Sequence, residues 1–284
     1  NKSCGLSHGK IRTLFQQAFG ITLARATSCR SVQQTAEQCR PAYEQIRQSV
    51  RGSPWVVPDE TGWRVDGRSA WLHAFVGESA TCYAIAPGRG HEPLTEVIGE
   101  DYSGDLIHDG WVVYDRFRRA GHQACLAHLL RRCDELLEVA ERGAVRFPQA
   151  VKALLQRGLA VRDRCRQGEL TLHGVRVCAG RLTEQLRKLV RPVKTHAGNE
   201  RFAKFLERHV GEIFTFLRRP ERQADGTVAF LDATNWRAEQ AIRPAVVNRK
   251  VWGGNRTWQG AEAQAILTSV LATASQHALD LLPL

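Results

Sequence analysis

Three acidic residues stand where carboxylate groups could do chemistry. Asp59 follows the apolar run "WVV", and Asp109 follows "DLIH"; both runs predict buried strands. Glu239 lies in "TNWRAEQAIRP", where Asn235, Glu239 and Arg243 recur at steps of four and are predicted to share one helical face. Two strand-end aspartates and a helix-borne glutamate offer the hard oxygen ligands that Mg²⁺ prefers. Two such ions about 3.5–4 Å apart catalyse phosphoryl transfer.

The pattern by itself leaves other acids open. The chain contains 29 Asp and Glu residues, which offer many possible trios. Asp105 and Asp115 are alternatives to Asp109 because they lie close to it in the same stretch. Glu60 is expected to point to the opposite strand face from Asp59, since neighbouring side chains alternate along a strand.

The strands that must position these acids begin near residue 55. "TGWRV" and "RSAWLHAFV" flank Asp66-Gly67, a pair that favours a two-residue type I′ hairpin, and "TCYAI" predicts a third strand. Pro58 lacks the N–H group that a central strand uses, so a bulge or a strand end is expected there. "HQACLAHLLRRCDELLEVA" begins as a possible strand and continues as a helix.

The N-terminal part of the chain is predicted to be helical. Ser7 can cap a first helix, which Gly20 can end, and a short second helix is expected from about Thr22. Together they resemble a helix-turn-helix, in which Arg25, Ser28 and Arg30 are candidate DNA contacts. A plain helical hairpin with solvated basic residues explains the same pattern equally well.

The second half of the chain is also mainly helical in pattern. Residues 135–220 have a helical pattern with basic faces and predict an inserted helical block. The final helices are expected to be broken at Pro244 and at Gly253-Gly254.

The basic residues that follow Glu239 form the second candidate site. The tract "RPAVVNRKVWGGNR" interleaves cations with indole rings, and its two glycines would let the backbone approach a phosphate. We interpret the tract as a DNA-end clamp, and a solvated basic rim is the alternative. Its candidate residues are Arg243, Arg249, Lys250 and Arg256, with Trp252 and Trp258 between and after them.

Composition agrees with a polyanionic partner. The formal net charge is +11, which indicates nucleic acid, although a basic but indifferent surface is the alternative. No apolar run approaches the roughly 20 residues of a membrane span, and the N-terminus does not resemble a signal peptide. Eight scattered cysteines without a Cys-x-x-Cys pair favour reduced thiols in a cytosol. The chain begins with Asn and contains no Met, so we expect a shortened copy.

Four blocks of sequence carry a family resemblance. "DETGWRVDGRSAWLHAFV", "DGWVVYDRF", "HQACLAHLLRR" and "TNWRAEQAIRPAVVNRKVWGGNR" resemble, in this order, the signature blocks of bacterial insertion-sequence transposases of the DDE type. The specific resemblance is to the large transposase subunit of the insertion-sequence sixty-six family, from about residue 5 to the C-terminus. It implies that Asp59, Asp109 and Glu239 form the catalytic, metal-binding triad.

The resemblance also implies an α/β fold, with a ribonuclease-H-like core of mixed sheet and helices. We expect a helix-turn-helix-like segment at residues 1–50, the first part of the core at 51–134, an all-helical insertion at 135–228, and helices completing the core at 229–284. An additional N-terminal zinc-binding and DNA-binding region, common in the family, has no counterpart in the sequence.

A short Cys/His motif lies between the second and third acids of the triad. Cys125-x-x-His128 resembles a motif of several DDE transposase groups. A zinc site needs about four ligands, and the sequence offers no second pair at suitable spacing. Cys125, His128 and Asn235 are therefore candidates for supporting positions beside the metal ligands. For His128, a purely structural role is the equal alternative.

The predicted function follows from the resemblance. The protein is expected to hydrolyse phosphodiester bonds at transposon ends with two Mg²⁺ or Mn²⁺ ions and to transfer the 3′-hydroxyl into target DNA. Expected partners are terminal inverted repeats, target DNA, further copies of the chain and accessory proteins of the element, in the bacterial cytoplasm at the nucleoid and without a membrane. One alternative is a truncated, catalytically incompetent DNA-binding competitor or repressor of the intact enzyme. A stand-alone ribonuclease-H-type nuclease leaves the N-terminal helices and the insertion unexplained.

Overall fold

The computed structural model describes residues 5–279, a mixed α/β protein as predicted. Its helices, in chain order, are α1 (His8–Phe19), α2 (Arg25–Arg51), α3 (Glu92–Ile98), α4 (Leu126–Val139), α5 (Arg146–Arg166), α6 (Leu172–Val190), α7 (Ala197–Arg208), α8 (Trp236–Trp252) and α9 (Trp258–Gln276). Its strands are β1 (Trp55–Val65), β2 (Arg68–Gly77), β3 (Thr81–Ala86), β4 (Asp105–His108), β5 (Gly121–Ala124), β6 (Glu221–Arg222) and β7 (Val228–Ala229). None of the helices within these residues has both the length and the hydropathy that crossing a bilayer requires.

The chain divides into two compact units. One unit contains the chain up to Gly104, the short segment Val113–Arg119 and everything from Trp236 onward. The other contains Asp105–Val112 and Ala120–Asn235.

The first unit is built on an antiparallel sheet of β1, β2 and β3. Asp66 (φ 53°) and Gly67 (φ 73°) both have positive φ, as the predicted type I′ turn requires. The register between β1 and β2 is one-to-one across Pro58, which pairs with Phe75, so the bulge or strand end expected there is absent. Asp59 therefore lies inside β1 and not at a strand end, because "WVVPDETGWRV" forms one continuous strand.

The N-terminal helices differ in one respect from the prediction. Ser7 caps α1 and Gly20 ends it in the left-handed conformation, as expected. The second helix is not short: α2 continues for 27 residues and passes through Pro41. It is long because its buried side packs against α9 and β3, and the Tyr43 hydroxyl donates to the Tyr83 carbonyl at 2.9 Å.

Helix α8 covers one face of the three-stranded sheet. Ile242 and Ala245 pack with Trp63, Leu72 and Ala74 in one buried cluster. Burying such side chains contributes about 1.5–3 kcal/mol for each large aliphatic group. This packing outweighs the local cost of Pro244, and the helix break predicted at that residue is absent. The predicted break at Gly253-Gly254 is present.

The second unit has a parallel strand pair and a helical part. Strands β4 and β5 pair in parallel, and residues 146–208 form α5, α6 and α7, in agreement with the helical pattern. The fully buried residues Leu155, Leu186 and Phe214 belong to its core. The two-residue strands β6 and β7 form a small antiparallel ladder.

The cysteines carry free thiols in the part of the chain that the structure describes, as the sequence predicted. Those described are Cys29, Cys39, Cys82, Cys125, Cys133, Cys165 and Cys178. Cys4 lies outside the described residues.

The loop after α8 gives a stability prediction. A Cβ at Gly254 (φ 125°) would lie 2.3 Å from the Arg64 carbonyl oxygen, whereas a Cβ at Gly253 (φ 80°) would have open space around it. Both Gly254→Ala and Gly253→Ala strain the backbone, but only Gly254→Ala adds a backbone clash. We expect Gly254→Ala to lower the free energy of unfolding by about 1–3 kcal/mol more than Gly253→Ala, measured by urea unfolding. Equal losses would contradict the close approach to Arg64.

Candidate active site

The orientation of Asp59 follows from the register of the sheet. Asp59 pairs with Ala74, and Ala74 pairs with Tyr83. Directly opposed residues of antiparallel strands point to the same face of a sheet. Ala74 and Tyr83 lie in the cluster that α8 covers, and the Tyr83 hydroxyl donates to the Ala241 carbonyl on α8 at 2.7 Å. The half-buried Asp59 side chain therefore points to the face that carries α8.

Glu239 is fixed by contacts on both sides of it along α8. Two residues earlier, the Arg237 guanidinium stacks over the Trp55 ring of β1 at 5.4 Å. Two residues later, the Ala241 carbonyl accepts the hydrogen bond from Tyr83 on β3. With a rise of about 1.5 Å per residue, Glu239 lies only about 3 Å along the helix axis from either contact. Its half-buried side chain belongs to the first turn of α8.

Asp59 and Glu60 have separate roles because they point to opposite faces of β1. Glu60 has a side chain 6% exposed and pairs with Arg89 at 2.6 Å. The Tyr114 hydroxyl donates to its second oxygen at 3.4 Å. Arg89 thus offsets the cost of burying Glu60. Asp59 Oδ1 accepts the Glu60 backbone N–H at 2.9 Å.

The first unit contains the type of donor atom that a hard divalent ion prefers. Asp59 on a strand and Glu239 on the helix packed over that strand both offer carboxylate oxygens, which Mg²⁺ and Mn²⁺ prefer. Within residues 5–279, no group of three or more His, Cys, Asp or Glu side chains is arranged to hold a metal ion. The predicted three-carboxylate cluster therefore stays a prediction.

Asp109 follows β4 in the second unit, at the position that the sequence predicted. Its Oδ1 accepts the Trp111 backbone N–H at 2.9 Å, which fixes the turn. Gly110 has φ 88°, and a Cβ there would lie 2.5 Å from Phe205, so a residue without a side chain is required. The alternative Asp105 is bound by Arg219 at 2.7 Å. Burial raises the pKa of Asp105, although Arg219 acts in the opposite direction.

A histidine pair next to Asp109, in which His108 is fully buried and His122 half-buried, was not predicted. Gly110 N–H donates to His108 Nδ1 at 3.1 Å, so the other ring nitrogen of a neutral His108 carries the proton. That nitrogen lies 3.0 Å from His122 Nδ1 and donates to it. Burial, followed by the nearby His122 and His209, lowers the pKa of His108 well below its usual value. The signal in the sequence is a histidine inside "DLIHD", directly before the predicted acid.

The structure brings together two of the three predicted supporting residues. Cys125 N–H donates to the His108 carbonyl at 2.8 Å, and Asn235 N–H donates to Cys125 Sγ at 3.4 Å. Asn235 is 2% exposed and directly precedes α8, the helix that carries Glu239. His128 lies on α4, half-buried.

The predicted DNA-binding residues fall into three groups. Arg30, Arg243 and Lys250 are exposed. Arg249 donates from its guanidinium to the Gly62 carbonyl and so connects α8 to β1.

The remaining two basic residues, Arg25 and Arg256, are far apart in sequence but line one cavity. Ser28, also a candidate contact, is instead buried against His8, with 2.9 Å between Oγ and Nδ1.

Comparison with known proteins identifies one family. The sequence matches the family model described as "Transposase IS66 family" over residues 5–263. This match covers most of the chain and includes Asp59, Asp109 and Glu239. No curated protein matches the sequence significantly.

The bond between Tyr83 and α8 gives a prediction about the support of Glu239. Tyr83→Phe removes the hydrogen bond to Ala241, at a cost of about 1 kcal/mol. Tyr43→Phe is the matched control, because it removes a similar bond, between α2 and β3. We expect faster hydrogen exchange of the α8 backbone amides in Tyr83→Phe only, measured by mass spectrometry. The same exchange rate in both variants would show that this bond does not hold α8.

His73 gives a prediction about pH. It is 1% exposed, and burial lowers its pKa to about 4, with Arg89 acting in the same direction. The unfolded chain binds a proton at His73 near pH 6.5 and the folded chain only near pH 4, so stability should fall as the pH falls between these values. The loss is up to about 3 kcal/mol. We expect His73→Gln to remove this part of the pH dependence of urea unfolding, and the exposed His277→Gln to leave it unchanged.

Proposed function

Because this chain belongs to the IS66 family of transposases, we propose that it cuts and joins DNA strands in a metal-dependent reaction. It hydrolyses the phosphodiester bond at a transposon end and then directs the released 3′-hydroxyl at target DNA. The observation that carries the proposal is the position of Asp59 on the sheet face that α8 covers, with Glu239 in the first turn of that helix.

The proposed catalytic carboxylates are Asp59, Glu239 and Asp109. The first two belong to one compact unit and are supported by packed, regular elements. Asp109 follows a fully buried strand and is fixed by its own turn. Rigid supports of this kind hold ligand atoms within the small tolerance that catalysis requires.

The reaction needs no protein nucleophile. Two bound divalent ions, Mg²⁺ or Mn²⁺, would supply activation of the attacking oxygen and stabilisation of the leaving oxygen. The three carboxylates would hold the reacting groups in line, so that the chain contributes mainly orientation. Cys125 and Asn235, together with His108, would support the loop of Asp109 through the hydrogen bonds described above. His128 is proposed for the same supporting group.

We further propose a ribonuclease-H-like core for this reaction. It would comprise residues 51–134 and 229–284, with residues 135–228 as a helical insertion and residues 1–50 as a DNA-binding segment. The antiparallel three-stranded sheet of the first unit and the parallel pair of the second unit are of the types that such a core contains.

DNA would be held by exposed cations of the first unit. Arg243 and Lys250 project from α8, the helix of Glu239, and Arg30 projects from α2. Contacts of this type read the DNA backbone and weaken steeply as salt concentration rises. The proposed partners are the terminal inverted repeats, target DNA, further copies of the chain and accessory proteins of the same element, at the bacterial nucleoid.

One observation favours a second candidate function. Arg30, Arg243 and Lys250, which were predicted to contact DNA, are exposed, and contacts made by them do not require the metal site. A copy that binds DNA without assembling the metal site would act as a competitor or repressor of an active transposase.

A nicking assay separates the two functions. We expect the chain to nick duplex DNA that carries candidate terminal repeats in Mn²⁺ or Mg²⁺, and to lose this activity with EDTA. Asp59→Asn and Glu239→Gln should each reduce the nicking rate by more than the roughly 10- to 100-fold loss typical of residues behind the metal ligands. The control is Asp66→Asn, the same chemical change in the hairpin turn, where Asn tolerates positive φ.

The outcomes are distinct. Metal-dependent nicking that survives in both variants would exclude these two carboxylates from the reaction. Binding without nicking by the unaltered chain, in either metal, would favour the competitor.

A further inference from the structure

A cavity in the first unit lies where three helices begin. Its volume is about 620 Å³, within the range of sites that hold ligands larger than a single ion. The start of α1, the first two turns of α2, and the α8–α9 loop with the start of α9 form its walls. All three segments belong to one compact unit.

The charge of this cavity is entirely basic. Arg25 at the start of α2 and Arg256 in the α8–α9 loop line it from two different segments. Of the described residues, none of those that line the cavity is Asp or Glu, and neither guanidinium takes part in an ion pair. Further along the same α2–α9 contact, Arg40 is neutralised by Glu262 at 2.7 Å. The cavity therefore concentrates uncompensated positive charge, which favours an anion.

The helix ends add to this potential. Ser7 caps α1 and Thr257 caps α9, but Ala24 precedes α2 and its methyl group cannot accept a backbone N–H. The first turns of these helices, all within the described residues, contain no acidic side chain. Arg25 itself lies at the positive end of the 27-residue α2, an unfavourable place for a cation unless an anion binds there.

The wall that carries Arg256 is fixed before any ligand binds. Asn255 N–H donates to the Arg64 carbonyl, and the Asn255 carbonyl accepts Asp66 N–H, both at 2.9 Å. The Asn255 side chain accepts the Trp63 indole N–H at 2.7 Å and donates to the Gly260 carbonyl at 3.0 Å. A preorganised wall lowers the entropy cost of binding.

We infer that this cavity binds one phosphate group of a DNA strand, held jointly by Arg25 and Arg256, with room for the attached nucleotide. The inference rests on the proposed function for its choice of DNA, and it adds a defined phosphate position outside the carboxylate site. Arginine suits this role because its planar fork matches phosphate oxygens in pairs. Trp252, which also lines the cavity, offers an apolar surface to the nucleotide.

The test measures DNA affinity of the full chain by fluorescence anisotropy with a labelled duplex, at several KCl concentrations. Arg25→Ala and Arg256→Ala should each weaken binding about tenfold and reduce the salt slope by about 1. The double variant should lose clearly less than the product of the two single losses, because both side chains hold one phosphate. The control is Arg12→Ala, an exposed arginine on α1 that does not line the cavity. All four variants should keep the parent unfolding midpoint, since these side chains are exposed.

A second measurement distinguishes binding of free inorganic phosphate from binding of a phosphate group in DNA. Thermal unfolding of the parent and variants is followed in inorganic phosphate and in KCl of equal ionic strength. If Arg25→Ala and Arg256→Ala bind DNA as tightly as the parent and the Arg12→Ala control do, the inference is overturned. This holds even if inorganic phosphate stabilises the parent against unfolding. Loss of DNA affinity in both single variants supports the inference, whether or not the parent nicks DNA. A parent that binds DNA but does not nick it would contradict only the proposed enzymatic activity.

Discussion

The packing of α8 on the three-stranded sheet is the constraint on which the site depends. Ile242 and Ala245 press against Trp63, Leu72 and Ala74, and the Tyr83 hydroxyl binds the Ala241 carbonyl. Burial of this apolar surface holds a helix from the C-terminal part of the chain over a hairpin far away in sequence. This packing therefore positions Asp59, which lies on the same sheet face, and Glu239, which lies on the same helix.

Among the described residues of this unit, some of the charged ones have partners that support the fold, and others do not. Glu60, next to Asp59, is buried and compensated by Arg89, so the two adjacent acids serve opposite faces of one strand. Arg249 also has a structural partner, the Gly62 carbonyl, and connects α8 to β1. Arg25 and Arg256 differ, because both line a cavity that contains no Asp or Glu among its described lining residues. The predicted DNA contacts thus include Arg249, which supports the fold, and two arginines that line a cavity.

The sequence predicted what local chemistry determines. The Asp66-Gly67 turn, the Ser7 cap and the break at Gly253-Gly254 depend on backbone preferences of a few residues, and all three are present. The predictions from sequence failed where packing between distant parts of the chain determines the length of a helix. Tertiary contacts extend α2 well beyond the short helix that was expected, and they continue α8 through Pro244, where a break was expected.

The candidate site was predictable to a similar extent. The strand and helix that carry Asp59 and Glu239 follow from periodicity, and the family match covers both residues. The hydrogen bond between His108 and His122, and the presence of Arg25 and Arg256 in the lining of one cavity, require segments that are distant in sequence to meet in space. No spacing rule along the chain reports such meetings, because loop lengths do not determine which elements pack together.

Anomalous diffraction at the manganese edge, from crystals of the chain bound to DNA and Mn²⁺, tests the central claim most directly. The arrangement of β1 and α8 predicts manganese density within coordination distance of carboxylate oxygens from both Asp59 and Glu239, at about 2.0–2.6 Å as for other hard divalent ions. Manganese bound elsewhere on the chain, with the Asp59 and Glu239 carboxylates both unliganded, would contradict it.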